Sequence, residues 1–278
     1  MIDLHLHTTA SDGTLSPPEL VLQARAAGLS IFSITDHDTT AGSEAADAAV
    51  RQAGLELIRG IEISAVADER DVHVLGYFID PASPRLRAFL VHQRDERLRR
   101  VREIGDRLAA LGVPVDVEPI AADAARGRSV GRPQIAAALL QAGHVATRSE
   151  AFDRYLESGG PAFVPRRGAR PEEVIAIIHE AGGIASLAHP GVTRRDDLLP
   201  ALVAAGLDAL EARHSDHDAA TETRYRACAR ELGLAVSGGS DYHGDSGHRI
   251  GVLGKVTLAA DDFDALRAVS AARRTAAS

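Results

Sequence analysis

Short runs of β-branched and other apolar residues alternate along the chain with alanine-rich amphipathic stretches, and a loop separates one from the next. That rhythm predicts βα units built on a largely parallel sheet. Strands are expected over 2–7, 31–35, 56–63, 72–78, 184–188, 209–213 and 235–238, with 252–257 as an eighth candidate. Helices are expected over 17–27, 42–53, 171–181, 198–205 and 219–232. Ser16 ahead of Pro17 and Pro18 marks a helix start, and Gly28, Gly54 and Gly233 mark stops. Between about Arg94 and Pro165 the rhythm breaks. This stretch opens with the charged run RDERLRRVREIGDRLAALG and predicts a small helical subdomain inserted between two parts of one α/β barrel. The expected division is therefore 1–93 and 166–278 for the barrel and 94–165 for the insertion. No internal repeat is present, and the terminal TAAS is expected to be loose.

Composition narrows the picture. A chain of 278 residues buries a full core. Its formal net charge of −8 argues against a basic surface for duplex DNA. A small anionic substrate is still compatible, because bound cations reverse the local sign. Apolar runs are only strand-length, so no membrane span is expected, and MIDLHLHTTASDGT has neither the basic nor the apolar region of a signal peptide. The single cysteine, Cys228, rules out an internal disulfide framework and fits a cytoplasmic location. Its helical surroundings, RYRACARELG, mark it as a packing residue.

Chemistry enters with the histidines. His5 and His7 lie two apart on the first expected strand, so alternation aims both at one face. Asp12 follows in a loop. Further along come Asp36-His37-Asp38, Glu62 in GIEIS, His73 in DVHVLG, His189-Pro190 and Asp241-Tyr242-His243, each expected within or just past the carboxyl end of a strand. In a β/α barrel those ends converge on the active-site face. Imidazoles mixed with carboxylates, without thiolates, suit Mn, Fe or Zn rather than a structural zinc or iron–sulfur site. A strand-borne carboxylate such as Glu62 bridges two ions roughly 3.5–4 Å apart, and such clusters bring the pKa of bound water toward neutrality.

The segments DLHLHTTASDGT, SITDHDT, GIEIS, HVLGYF, LAHPG and GSDYHG resemble the motif series of the PHP (polymerase and histidinol phosphatase) family of amidohydrolase-like enzymes, in order, from the first residues to about Ile250. The resemblance implies a distorted (β/α)7 barrel holding up to three divalent ions, Mn2+ favoured and Fe2+ or Zn2+ as alternatives. Carried over position by position, it implies one ion held by His5, His7, Glu62 and Asp241. A second would be held by Glu62, His73 and His189, and a third by Asp12, His37 and His243.

GRPQIAAALLQAG and DRYLESGGPAFVP, in the insertion, resemble the subgroup acting on phosphates of nucleotides or RNA 5′ ends. The activity so implied is hydrolysis of the 3′-phosphate of nucleoside 3′,5′-bisphosphates by a metal-activated hydroxide, with His189 or Asp241 as candidates for proton transfer. Planar guanidinium forks suit a second phosphate. The expected contacts are Arg132, Arg166 and Arg194, with Arg167 and Arg195 beside them, the Ser129 hydroxyl, and His214 or His217. The alternatives are a 5′→3′ exoribonuclease on short RNA, a histidinol-phosphate phosphatase, an amide hydrolase and a non-catalytic metal-binding module. The expected partner is a small phosphorylated nucleotide or short RNA, with no obligate protein partner. A long single strand would want a stacking platform, and 4% aromatic content without Trp makes that thin. His92, His144, His179 and His248 have no motif partner and read as structural or surface residues.

Overall fold

The computed structural model describes residues 1–244 and 250–276. Seven strands stand among them: β1 (Ile2–Leu6), β2 (Ile31–Ile34), β3 (Glu56–Ala67), β4 (Arg70–Tyr77), β5 (Ile184–Leu187), β6 (Ala209–His214) and β7 (Ala235–Gly239). They pair in sequence order. The ends of the sheet approach each other where Leu6 bridges to Tyr242 and the His7 amide donates to the Tyr242 carbonyl at 2.9 Å, giving a nearly closed barrel. Helices α1 (Pro17–Ala26), α2 (Ala41–Ala45) and α3 (Asp47–Ala53) follow the first two strands. The helix expected over 42–53 is thus two, separated at Ala46. Gly54 and Gly233 take left-handed C-cap positions, as their places in the sequence predict.

Two expectations need correction. The segment 252–257 is not a strand. β1 already bridges to Tyr242 just past β7, which leaves little free edge, and Gly251 and Gly254 at positive φ break the extended backbone. Only Leu258 reaches the sheet, its amide donating to the Ile2 carbonyl at 2.8 Å. Second, β4 runs antiparallel to both neighbours. A two-residue turn, Asp68–Glu69, both at positive φ, joins β3 to β4, and a link that short permits only an antiparallel pair. His73 therefore lies in the amino-terminal half of its strand. It reaches the same barrel end as the other tips because the strand is reversed.

After β4 comes a long helix, α4 (Pro84–Ala110), capped by Ser83 and begun by Pro84, ten residues ahead of the charged run that signals it in the sequence. α5 (Glu118–Ala125), α6 (Arg132–Gln141), α7 (Arg148–Ala151) and a π-helical turn, Phe152–Leu156, complete a helical region whose apolar residues, among them Ile104, Leu108, Ile135, Leu139 and Leu156, form a core of their own. α8 (Pro171–Glu180) returns to the barrel and buries Val174, Ile175, Ile177 and Ile178. α9 (Pro190–Thr193), α10 (Leu199–Ala204), α11 (Ala219–Leu232) and α12 (Ala260–Ala276) complete the outer layer. α12 takes in the first two residues of the terminal TAAS, which corrects the expectation of a loose tail there, and the last two lie outside the described residues. No described helix is long and apolar enough to cross a membrane.

The β1–β7 seam depends on Gly239. A Cβ there would stand 2.5 Å from His5 Cβ and 2.7 Å from Asp3 Oδ1. Gly239→Ala is expected to destabilise the fold by about 1–3 kcal/mol or more, since the obstacle is strand backbone and a buried carboxylate. Chemical denaturation measures it, and an unchanged midpoint would show that the seam yields freely.

Candidate metal centre

The barrel end gathers the histidines around one carboxylate. Glu62, in the middle of β3 and 1% exposed, has five imidazoles within 3.3 Å. Its Oε2 lies 3.3 Å from His5 Nε2, 3.2 Å from His7 Nε2 and 3.2 Å from His37 Nδ1. Its Oε1 lies 2.8 Å from His73 Nδ1 and 3.1 Å from His189 Nε2. Asp241 Oδ1 joins the same cluster, 3.3 Å from His5 and 3.1 Å from His7. On the outer side, Asp12 stands 3.2 Å from His243 Nε2, 3.7 Å from His7 Nδ1 and 3.8 Å from His37 Nε2. All nine residues expected to bind metal thus meet at one place, and eight of them fall in three overlapping groups: His5, His7, Glu62 and Asp241; His37, Glu62 and His73; and His7, Asp12, His37 and His243; a fourth group joins His5 to Glu211 and His214. His37 and His7 each border a second group beyond the one expected of them, and His189 meets the second group through Glu62.

Local backbone explains how loop residues reach inward. Asp38, His189 and Asp241, just past β2, β5 and β7, take φ values of 50°, 28° and 50°. Such left-handed positions are strained for non-glycine residues and persist only where the surroundings enforce them. Asp38 is enforced by Arg97 Nε at 2.6 Å and by the Ser64 amide at 2.9 Å. Asp36 accepts from the Thr8 amide, the Thr8 hydroxyl and the Ser11 hydroxyl, each at 2.7 Å, and pins the loop that carries Asp12. Of the Asp36-His37-Asp38 run, only the histidine faces the cluster.

Several buried nitrogens here have no hydrogen-bond partner: His7 Nε2, His37 Nδ1, His73 Nδ1 and His189 Nδ1. Unpaired buried polar atoms cost about 1–3 kcal/mol each. Three of them, His7 Nε2, His37 Nδ1 and His73 Nδ1, approach Glu62 oxygens closely yet without hydrogen-bond geometry, an arrangement that a shared divalent cation satisfies. Electrostatics agree. Burial raises the Glu62 pKa, but His37, His73 and His5 outweigh it and hold the carboxyl well below the ordinary glutamate range. Burial pulls His7 down, yet Asp241 and Glu62 lift it to about 10. At His37 burial wins, and the imidazole is held to about 3 despite Glu62 and Asp12. Neighbouring rings driven in opposite directions mark a site that attracts positive charge but cannot hold it all as imidazolium. The nitrogen-and-oxygen donor set fits Mn, Fe or Zn.

Two cavities open here. One, of 230 Å³, is lined by His37, Glu62, His73, His189, Val192, Asp241 and His243. The second, of 250 Å³, shares His37 and His73 and continues to Arg97, Arg100, Arg132 and Arg166. Asp71 sits between the last two, 3.3 Å from Arg132 Nη2 and 3.1 Å from Arg166 Nε. Burial, Arg166, Arg132 and Arg97 together push the Arg100 guanidinium down to about 9, with Asp71 giving partial relief. Positive charge is therefore crowded in this cavity.

The expected substrate contacts divide. Arg132 and Arg166 line the arginine cavity. Ser129 is buried, its Oγ without a partner, though it is not among the lining residues. Arg194 lies apart, in a pocket with Asp196 and Arg224. Arg195 is tied to Asp197 and Asp68, and Arg167 is exposed. His214, expected near substrate, is 1% exposed and turned onto Asp241; its burial behind that carboxylate keeps it from the cavity. His217 is likewise buried, bonded to the Ala212 carbonyl and the Gly191 amide. Arg97, Arg100 and Glu211 escaped the sequence reading. Among the unpartnered histidines, His144 bonds the Pro114 carbonyl and His179 bonds Asp208, His92 is exposed, and His248 lies outside the described residues.

Comparison with known proteins follows the same lines. The family described as PHP domain matches residues 3–157. A 5′-3′ exoribonuclease of Haemophilus influenzae is 39% identical over 246 residues, covering 87% of this chain and 89% of that one. A 3′,5′-nucleoside bisphosphate phosphatase of Chromobacterium violaceum is 34% identical over 257 residues, covering 90% of each. A crystal structure from Bifidobacterium adolescentis, described as that of a metal-dependent phosphoesterase, superposes with a TM-score of 0.86 over 96% of both chains at 36% identity.

Proposed function

The chain belongs to the PHP domain family and is a metal-dependent phosphoesterase, and on that premise we propose that it removes the 3′-phosphate from nucleosides phosphorylated at both the 3′ and 5′ positions. The observation that carries this reading is the pair of joined cavities, one walled by imidazoles and carboxylates, the next by four arginines. A substrate with one reactive and one anchoring phosphate matches that pair. A simple monoester uses only the first.

Divalent cations in the three ligand groups would supply Lewis-acid stabilisation of the phosphoryl oxygens and a water of lowered pKa. His5, His7, Glu62 and Asp241 would hold one ion, Glu62 with His73 and His189 a second, and Asp12, His37 and His243 a third. The chain's own contribution is orientation. Arg132 and Arg166, which line the arginine cavity, present planar forks to the 5′-phosphate. The dianion that they hold relieves the crowding of guanidinium charge, and the 3′-phosphorus is thereby presented to the ligand groups. Cleavage of the P–O3′ bond leaves an alkoxide that needs a proton, and we assign its delivery to His189 at the cavity wall, since Asp241 is held ionised.

A second reading shares this geometry. In a 5′-phosphorylated RNA the phosphorus beyond the first nucleotide is bonded to the same O3′ atom. Cleavage there releases a 5′-mononucleotide, which is the exoribonuclease reaction, and the 39%-identical relative bears that name. The two readings differ only in what hangs on the far side of the reactive phosphorus.

Purified enzyme given a nucleoside 3′,5′-bisphosphate, the 3′-monophosphate, histidinol phosphate and a 5′-phosphorylated trinucleotide decides among them. The bisphosphate is expected to exceed the 3′-monophosphate in kcat/KM by about 10-fold or more, the size of one charge-assisted hydrogen-bond set. Equal rates for the two would remove the anchoring role of the arginine cavity. A trinucleotide turned over faster than the bisphosphate would favour the exonuclease.

A further inference from the structure

Strand β6 contributes none of the nine expected metal ligands, yet it packs two ionisable side chains directly behind them. Its pairing with β7 slips between Glu211 and Arg213, the mark of a β-bulge. In a regular strand, residues three apart face opposite sides, but the bulge turns both Glu211 and His214 into the barrel, where they are 0% and 1% exposed.

Their bonds are directional. Glu211 Oε1 lies 2.9 Å from His5 Nδ1, and its Oε2 accepts from the His189 amide at 2.7 Å. An ionised carboxylate only accepts, so His5 Nδ1 carries a proton, which leaves Nε2, 3.3 Å from both Glu62 and Asp241, as the nitrogen that can be offered to a cation. At His214 the main chain decides. The Asp216 amide donates to Nδ1 at 3.0 Å, so Nε2 carries the proton and donates to Asp241 Oδ2 at 3.3 Å. Asp241 Oδ1 is then the oxygen turned toward His5 and His7.

We infer that Glu211 and His214 are positioning residues for the metal centre, selecting which nitrogen of His5 and which oxygen of Asp241 is offered to the cation they share. The inference rests on reading His5, His7, Glu62 and Asp241 as ligands, and not on the identity of the substrate. Glu211 also fixes the main chain of His189, so one carboxylate serves two of the three groups.

Glutamine at 211 keeps the shape but not the chemistry. Its amide accepts from only one of the two donors. The other must face an NH2 group, or His5 must take the tautomer that turns Nε2–H on the cation. Metal-free wild type, Glu211→Gln, His214→Leu and His214→Gln are titrated with Mn2+, following free Mn2+ by electron paramagnetic resonance, and their metal-free melting curves are recorded. Glu211→Gln and His214→Leu are expected to weaken Mn2+ binding about 10- to 100-fold, the usual cost of losing an outer hydrogen-bond partner of a ligand. His214→Gln restores a donor toward Asp241 and is expected to recover most of the affinity. Metal-free melting should change little, whereas a packing role would lower it without distinguishing Leu from Gln. Wild-type affinity in Glu211→Gln, or equal affinities for the two His214 variants, overturns the inference. Wild-type protein that takes up no Mn2+ overturns the ligand assignment and the inference with it. A mistaken substrate leaves every one of these readings intact.

Discussion

Glu62→Gln is expected to lower kcat by about 10³-fold or more while leaving the protein folded, the rate equivalent of the several kcal/mol of transition-state stabilisation that a bound cation supplies. The argument is one of position. Both Glu62 oxygens are shared, Oε2 among His5, His7 and His37 and Oε1 between His73 and His189. Two of the four groups able to hold an ion include this side chain. The amide removes a negative charge from the centre of five imidazoles and offers one oxygen where two are needed. Metal analysis of the purified variant should therefore show the loss of more than one ion per chain, in contrast to a variant at Asp12, which borders only the outer group. Circular dichroism separates this from unfolding. A Glu62→Gln protein with full metal content and wild-type turnover would end the reading of this cluster as the metal centre. Chelation of the wild type should reproduce the loss, and added Mn2+ should reverse it there but not in the variant.

The cluster is legible in the sequence because its members are of a rare kind and recur at strand ends. His5 and His7 declare a shared face by spacing alone, and most of the later candidates lie within or just past a recognisable apolar run. The barrel is legible for the same reason. Less visible is what depends on reversal or irregularity. Asp68–Glu69 lacks the Asn-Gly or Asp-Gly signature of a two-residue hairpin, so nothing local announces that β4 turns back. The β6 bulge is equally silent, and without it Glu211 and His214 cannot both be assigned to the interior.

Arg97 and Arg100 are a different case, since their signal is present but masked. The buried positions of α4 run through Leu86, Leu90, Gln93, Arg97, Arg100, Val101, Ile104, Gly105 and Leu108, steps of three and four apart from the adjacent pairs Arg100–Val101 and Ile104–Gly105. Both arginines fall on the stripe that packs inward. Read by composition, RDERLRRVREIGDR is a solvated face. Read by phase, it places two guanidinium groups in the interior, and a buried cation needs an anionic partner. For Arg97 the partner is Asp38. For Arg100, whose Nε donates to the Val164 carbonyl at 2.7 Å, the charge is left to the cavity.

The positive charge crowded in that cavity, only partly relieved by Asp71, sets the second large effect. Arg132→Ala is expected to raise KM for a nucleoside 3′,5′-bisphosphate by about 10- to 150-fold, matching the roughly 1.5–3 kcal/mol of a hydrogen bond to a charged group. The kcat should hold, because the contact is to the phosphate that does not react and is made equally in ground and transition states. An aryl phosphate, which has nothing to place among the arginines, should be hydrolysed by the variant as by the wild type. The structure adds a consequence for the neighbours. Arg132 and Arg166 share Asp71, so removing Arg132 lets Asp71 draw wholly on Arg166, and the anchoring fork loses more than one of its prongs. Asp71→Asn, which frees both guanidinium groups from their internal partner, should then shift KM for the bisphosphate the other way or leave it unchanged, where a merely structural ion pair would weaken binding in both variants. Kinetics of the two variants on both substrates separate these outcomes. Equal losses on bisphosphate and aryl phosphate in Arg132→Ala would assign the residue to the fold and leave the second phosphate without its anchor.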